Sequence, residues 1–127
     1  GFAPSVQDNN EALDVLMEAI QKSGHAAKVK IGTDVAASEF YNADTKKYDL
    51  DFKHPSGSPD SKKYDLDFKH PSGSPDSMKK TAAEMIEYYK AWLDKYPLIS
   101  IEDPFDQDDW EAYTAFMKEV GGKTQVV

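Results

Sequence analysis

The chain predicts an α/β fold of parallel strands covered by helices. Three observations predict it: helical and β-rich segments alternate, the helix-to-strand connections are short, and 39% of the residues are hydrophobic, enough for a core. Three strands and three helices make an incomplete slice of an α/β layer or barrel, not a closed one.

The first helix follows Asp8, with Glu11 at capping-box spacing. Leu13, Leu16, Met17 and Ile20 fall on one face, and Gly24 supplies a stop. Residues 28–36, KVKIGTDVA, read as the first strand. The second helix opens at Thr81 with Glu84 three residues on; Met85, Tyr89, Trp92, Leu93 and Tyr96 form its apolar stripe and Pro97 ends it. Residues 98–102, LISIE, follow as a strand. The third helix starts in the acidic run of Asp106, Asp108 and Asp109, where negative charge favours a helix N-terminus. Trp110, Tyr113, Phe116, Met117 and Val120 line its expected buried side, and residues 124–127, TQVV, form a last strand.

Residues 46–61 and 62–77 are identical: KKYDLDFKHPSGSPDS is written twice. In each copy alternating apolar and acidic residues (Tyr48, Leu50 and Phe52 against Asp49 and Asp51 in the first) read as a half-buried strand, and the Pro/Gly/Ser-rich remainder as a loop. A period seen only twice is not a solenoid signature. The chain reads as one partial domain over residues 1–127 with a copied piece inside it. Such an insertion is tolerable, because doubling a loop costs only about 0.6 kcal/mol in closure entropy. The first copy is expected to take the strand position.

The formal net charge of −8 argues against nucleic acid or an anionic membrane as the main partner. Without cysteine there is no disulfide framework and no thiolate metal site. No apolar run approaches transmembrane length, and no secretory leader is visible. The opening GFAP reads as a chain cut from a longer parent.

Strand alternation places Lys30, Gly32 and Asp34 on one face of the first strand, and Ser100 and Glu102 on one face of the second, opposite Ile99 and Ile101. Asp34 and Glu102 thus stand at C-terminal strand ends, where α/β barrels build their sites. Two converging carboxylates suit a hard cation such as Mg²⁺. On spacing alone the commoner reading is that both acids begin loops or cap helices, since a complete Mg²⁺ site needs more ligands.

The stretches GFAPSVQDNNEALDVL, KVKIGTDVAASEFY, KYDLDFK and YPLISIEDPFDQDDWEAY resemble enolases, over nearly the whole chain apart from one repeat copy. The resemblance implies an internal piece of the enolase C-terminal TIM-like barrel, with KYDLDFK as the return strand of a β-hairpin excursion from SEFY. It also implies a cytoplasmic, homodimeric, Mg²⁺-dependent lyase of glycolysis, phosphopyruvate hydratase, which dehydrates 2-phosphoglycerate to phosphoenolpyruvate. Carried over, Asp34 in IGTDVA and Glu102 in SIEDPF become Mg²⁺ ligands. The third ligand is expected just beyond Val127, the catalytic acid just before Gly1, and the base lysine in later strands, so catalytic residues here are none and the fragment alone is expected to be inactive. Enolases also appear on cell surfaces, where lysine-bearing segments bind plasminogen. That alternative points to Lys46, Lys47, Lys62 and Lys63 as partner-binding residues, and to an antigenic or binding role. Without it these pairs, like Lys79 and Lys80, read as solvated charge, and His25, His54 and His70 as solvated loop histidines.

Overall fold

The computed structural model describes residues 6, 8–50 and 78–127. The readings for Phe52, His54, His70, Lys62, Lys63 and the second repeat copy lie outside these residues. The described part is a three-stranded parallel sheet carrying helices, with a small antiparallel sheet as an excursion. Among the described residues there is no closed barrel.

Helix α1 spans Asn9–Lys22, and its first turn is capped by the Asp8 carboxylate, which accepts from the Glu11 N–H at 2.9 Å. Leu13 is buried, while Met17 and Ile20 pack partly against the core. Leu16, expected inside, is 49% exposed, because it lies about 60° round the helix from Leu13 at the stripe's edge. Strand β1 is Ile31–Asp34, shorter than expected. Ala36 then turns left-handed (φ 49°) and Ala37–Phe40 forms a 3-10 turn. Most of SEFY is therefore helical, not strand: the Glu39 N–H bonds back to the Ala36 carbonyl at 3.0 Å.

Only Tyr41–Asn42 continues as strand β2, paired antiparallel with β3, Lys47–Asp49. The first repeat copy thus supplies the hairpin strand. A third strand, β4 (Lys79–Lys80), pairs with β3 and corrects the solvated reading of these lysines: both are half-buried, and Lys80 Nζ lies 6.0 Å over the Tyr88 ring. Tyr48, central in this sheet, is fully buried.

Helix α2, Ala82–Lys95, carries the expected capping box: Thr81 Oγ1 accepts from the Glu84 N–H at 3.3 Å and Glu84 Oε2 accepts from the Thr81 N–H at 2.7 Å. These bonds hold the Glu84 carboxyl below its usual range. Thr81→Ala is expected to lower stability by about 1 kcal/mol, measured by urea unfolding. Because the carboxyl is depressed, its share is present at neutral pH and fades as pH falls through and below 4.5, the usual glutamate value.

Met85, Ile86, Tyr89, Trp92 and Tyr96 are buried. The polar tips of this stripe bind α1: Trp92 Nε1 donates to Asn10 Oδ1 and the Tyr96 hydroxyl to Asp14 Oδ1, both at 2.8 Å.

Strand β5 is Leu98–Glu102, and helix α3, Trp110–Val120, follows with the Asp109 carboxylate accepting from the Ala112 N–H at 3.2 Å. The buried line of α3 runs through Ala112, Phe116 and Val120. Trp110 (74% exposed) and Met117 (45% exposed) were expected inside; at 100° per residue they sit roughly 100–120° round from Phe116. Strand β6, Gln125–Val126, completes the order β1-β5-β6.

One register detail positions the site. Ile31 pairs with Leu98, but Gly32 pairs with Ser100, so Ile99 is an extra residue, a bulge. It restores two-face order on either side. Ile31 and Leu98 face the core together, as do Thr33 and Ile101, while Ile99 is left 55% exposed instead of sharing the core face with Ile101.

Candidate metal centre

Beyond the bulge, Gly32 pairs with Ser100 and Asp34 with Glu102, and Ser100 in turn pairs with Gln125 of β6. The face opposite the core therefore carries a polar row. Gly32 gives Ser100 its room there: a Cβ at this position would stand 2.7 Å from Ser100 Oγ and turn that hydroxyl aside. Ser100 and Gln125 were not singled out from the sequence as site neighbours; the alternation that grouped Ser100 with Glu102 held the signal for the first, and the parallel register supplies the second.

Asp34 and Glu102 are the last residues of β1 and β5, directly in register, and both are exposed. The strand ends are knitted past them. The Val35 N–H donates to the Glu102 carbonyl at 2.9 Å, and the Ala37 N–H to the Asp103 carbonyl at 3.0 Å. On the other side, the Asp103 N–H donates to the Val127 carbonyl at 2.9 Å, and the Val127 N–H to the Ile101 carbonyl at 3.1 Å. Asp34 Oδ1 accepts from the Ala36 N–H at 3.2 Å, which ties the carboxylate to a left-handed turn. Asp103, immediately after Glu102, is also left-handed (φ 46°). Two non-glycine residues in this conformation, one behind each carboxylate, mark a backbone held by its surroundings.

The loop after Glu102 is anchored in the core. Pro104 and Phe105 are buried, and the Tyr89 hydroxyl donates to the Pro104 carbonyl at 2.8 Å. The Tyr48 hydroxyl donates to Asp109 Oδ2 at 2.8 Å and accepts from the Asp106 N–H at 3.0 Å. Burial, reinforced by the Asp109 carboxylate, pushes this phenol far above its ordinary range. The acidic run thus serves the helix start and the hairpin, as expected for Asp109.

In donor chemistry the pair fits a hard cation: two carboxylates on adjacent strand ends, with Mg²⁺ characteristically keeping several waters beside one or two carboxylates. Among the described residues no three His, Cys, Asp or Glu side chains come together, so the pair supplies two protein donors. Two shallow depressions on the outer face of α3, lined by residues such as Trp110, Thr114 and Lys118, include neither acid. Of the expected partner-binding lysines, Lys46 is exposed at the hairpin turn (φ 53°), whereas Lys47 is half-buried in β3. No described helix is long and apolar enough to cross a membrane.

The family described as enolase, C-terminal TIM barrel domain, matches residues 1–63 and 57–127, two segments that overlap inside the repeat. Over all 127 residues the chain is 46% identical to an enolase of Eimeria tenella and 44% identical to one of Solanum lycopersicum. It covers 25% and 24% of those relatives, so it spans about a quarter of their length. A partial parallel sheet with its helices, matched along its whole length by one domain family, has one reading: the chain belongs to the enolase C-terminal TIM barrel family.

Proposed function

We propose that Asp34 and Glu102 are two ligands of a Mg²⁺ site in an enolase, the lyase that dehydrates 2-phosphoglycerate to phosphoenolpyruvate. The direct register of the two carboxylates at parallel strand ends carries this reading. When bound, the cation supplies positive charge against the negative charge that builds as the carbon acid loses its proton. The chain's own part is to present hard oxygens. Asp34 is oriented by its bond from the Ala36 N–H, and Glu102 follows a strand end locked on both sides. Gly32 and Ser100 keep the neighbouring face narrow and polar.

On this reading the chain supplies two ligands of the site, and these residues alone are expected not to turn over substrate. The substrate, the homodimer and a cytoplasmic glycolytic role belong to the enzyme at the length of its relatives. Calorimetric Mg²⁺ titration tests the site: saturable binding is expected, weakened at least about tenfold by Asp34→Ala and by Glu102→Ala, with unchanged circular dichroism. A folded chain that binds no Mg²⁺ overturns it. A second, separable reading rests on the exposure of Lys46 at the hairpin turn. It makes the lysine turns a surface for the lysine-binding modules of plasminogen, and there Lys46→Ala should lower capture of the chain while Glu102→Ala should not.

A further inference from the structure

Strand β3 is held by a socket built from residues outside the repeat. Tyr48 enters that socket with ring centroids 6.2 Å from Phe40, 4.8 Å from Tyr41 and 6.1 Å from Phe105, and its hydroxyl bridges Asp109 and the Asp106 N–H. Leu50 packs partly against the core, and its N–H donates to the Met78 carbonyl at 3.0 Å. The three residues of β3 (Lys47, Tyr48 and Asp49) and Leu50 after them recur in the same order as Lys63, Tyr64, Asp65 and Leu66. Phe40, Tyr41, Met78, Lys79, Lys80, Phe105, Asp106 and Asp109, which receive them, lie outside both copies. Nothing in the socket's chemistry distinguishes the two occupants.

We propose that the Tyr48 socket is a docking surface for either repeat copy of the same molecule, and that the chain exchanges residues 47–50 for residues 63–66 in the hairpin. Connectivity, and the turn that the shorter connection closes, set the ratio. With the first copy in place, a four-residue turn and a 29-residue connection flank β3; with the second, the connections are 20 and 13 residues. Closure cost rises only with the logarithm of length, so these two pairs differ by about threefold in population, favouring the first copy. The tight turn adds to that preference: Asn42 Oδ1 accepts from the Thr45 N–H at 2.9 Å and from its hydroxyl at 3.1 Å. One net hydrogen bond is roughly a further fivefold. The exchanged arrangement thus holds on the order of one molecule in ten.

The test compares Tyr48→Ala, Tyr64→Ala and the double variant of the full chain by urea unfolding, with size-exclusion chromatography alongside. Exchange predicts that Tyr64→Ala leaves the unfolding constant unchanged. It predicts that Tyr48→Ala shifts it by only about tenfold, because Tyr64 refills the socket. The double variant should shift it more than about a hundredfold, the ordinary result of emptying a buried aromatic site. A Tyr48→Ala protein as damaged as the double variant, or unfolded while Tyr64→Ala folds, overturns the proposal. So does a Tyr48→Ala protein that becomes dimeric, since the second copy would then come from another molecule.

Discussion

Phe105→Ala should lower the unfolding free energy by about 3–5 kcal/mol, the largest effect of any single truncation proposed for this chain. Phe105 is 1% exposed and lies edge-on to four rings: Tyr48 at 6.1 Å, Tyr89 at 5.8 Å, Tyr113 at 5.4 Å and Phe116 at 5.5 Å. It is the point where the hairpin, α2, α3 and the loop leaving β5 all meet. Truncation leaves a cavity bounded by side chains that other bonds hold: Tyr48 by Asp109 and Tyr89 by the Pro104 carbonyl. The site therefore collapses little, which places the cost at the upper part of the range. Domains are stable by only about 5–15 kcal/mol, so the variant should lose a large fraction of its stability. Urea titration followed by circular dichroism measures it, with Ile99→Ala at the exposed bulge as a control that stays within about 0.5 kcal/mol. A loss below about 1 kcal/mol for Phe105→Ala would show that the ring cluster is not the centre of the fold.

Alkaline pH should weaken the fold steeply above pH 10, the ordinary tyrosine value. Tyr89 is fully buried, and desolvation, with smaller contributions from neighbouring tyrosines, pushes its hydroxyl far above that value. The sign follows from which state ionises first. In the unfolded chain Tyr89 loses its proton near pH 10, while in the folded chain it stays neutral. The stability it contributes is complete below pH 10 and declines above it, by about 1.4 kcal/mol per pH unit for one group. Tyr48 is raised for the same reason and adds to the slope. Unfolding followed at increasing pH, with phenolate absorbance as a second signal, should show tyrosine ionisation coinciding with loss of structure. Phenolate absorbance completing near pH 10 in a chain that stays folded would contradict it.

How far the sequence reaches can be judged from particular residues. Caps were legible, because Asp8, Thr81 with Glu84, and Asp109 act within one turn of themselves. The strand-end acids were legible too, since β1 and β5 both end on them. Helix periodicity located the stripes but not their exact centre on α3: Trp110 and Met117 look as apolar as Phe116, and only the packing of this helix, with Phe116 against Tyr89 and Phe105, buries Ala112 in their place. The bulge at Ile99 leaves no mark in composition, because LISIE alternates equally well in the wrong phase. Lys79 and Lys80 were misread since β-pairing of two lysines depends on β3 arriving beside them. Between two identical copies, no local signal separates the occupant of the hairpin from its duplicate.

The extra residue in β5 has one more consequence. Upstream of Ile99 the strand is set by how α2 delivers Pro97 and Leu98; downstream it is set by Gly32, Thr33 and Asp34 across the ladder. Ile99 is the slack between these two fittings. Without the bulge, the alternation that buries Leu98 would turn Ile101 outward and Glu102 inward, so the extra residue lets one strand seal the core at both positions and still present its last carboxylate to solvent.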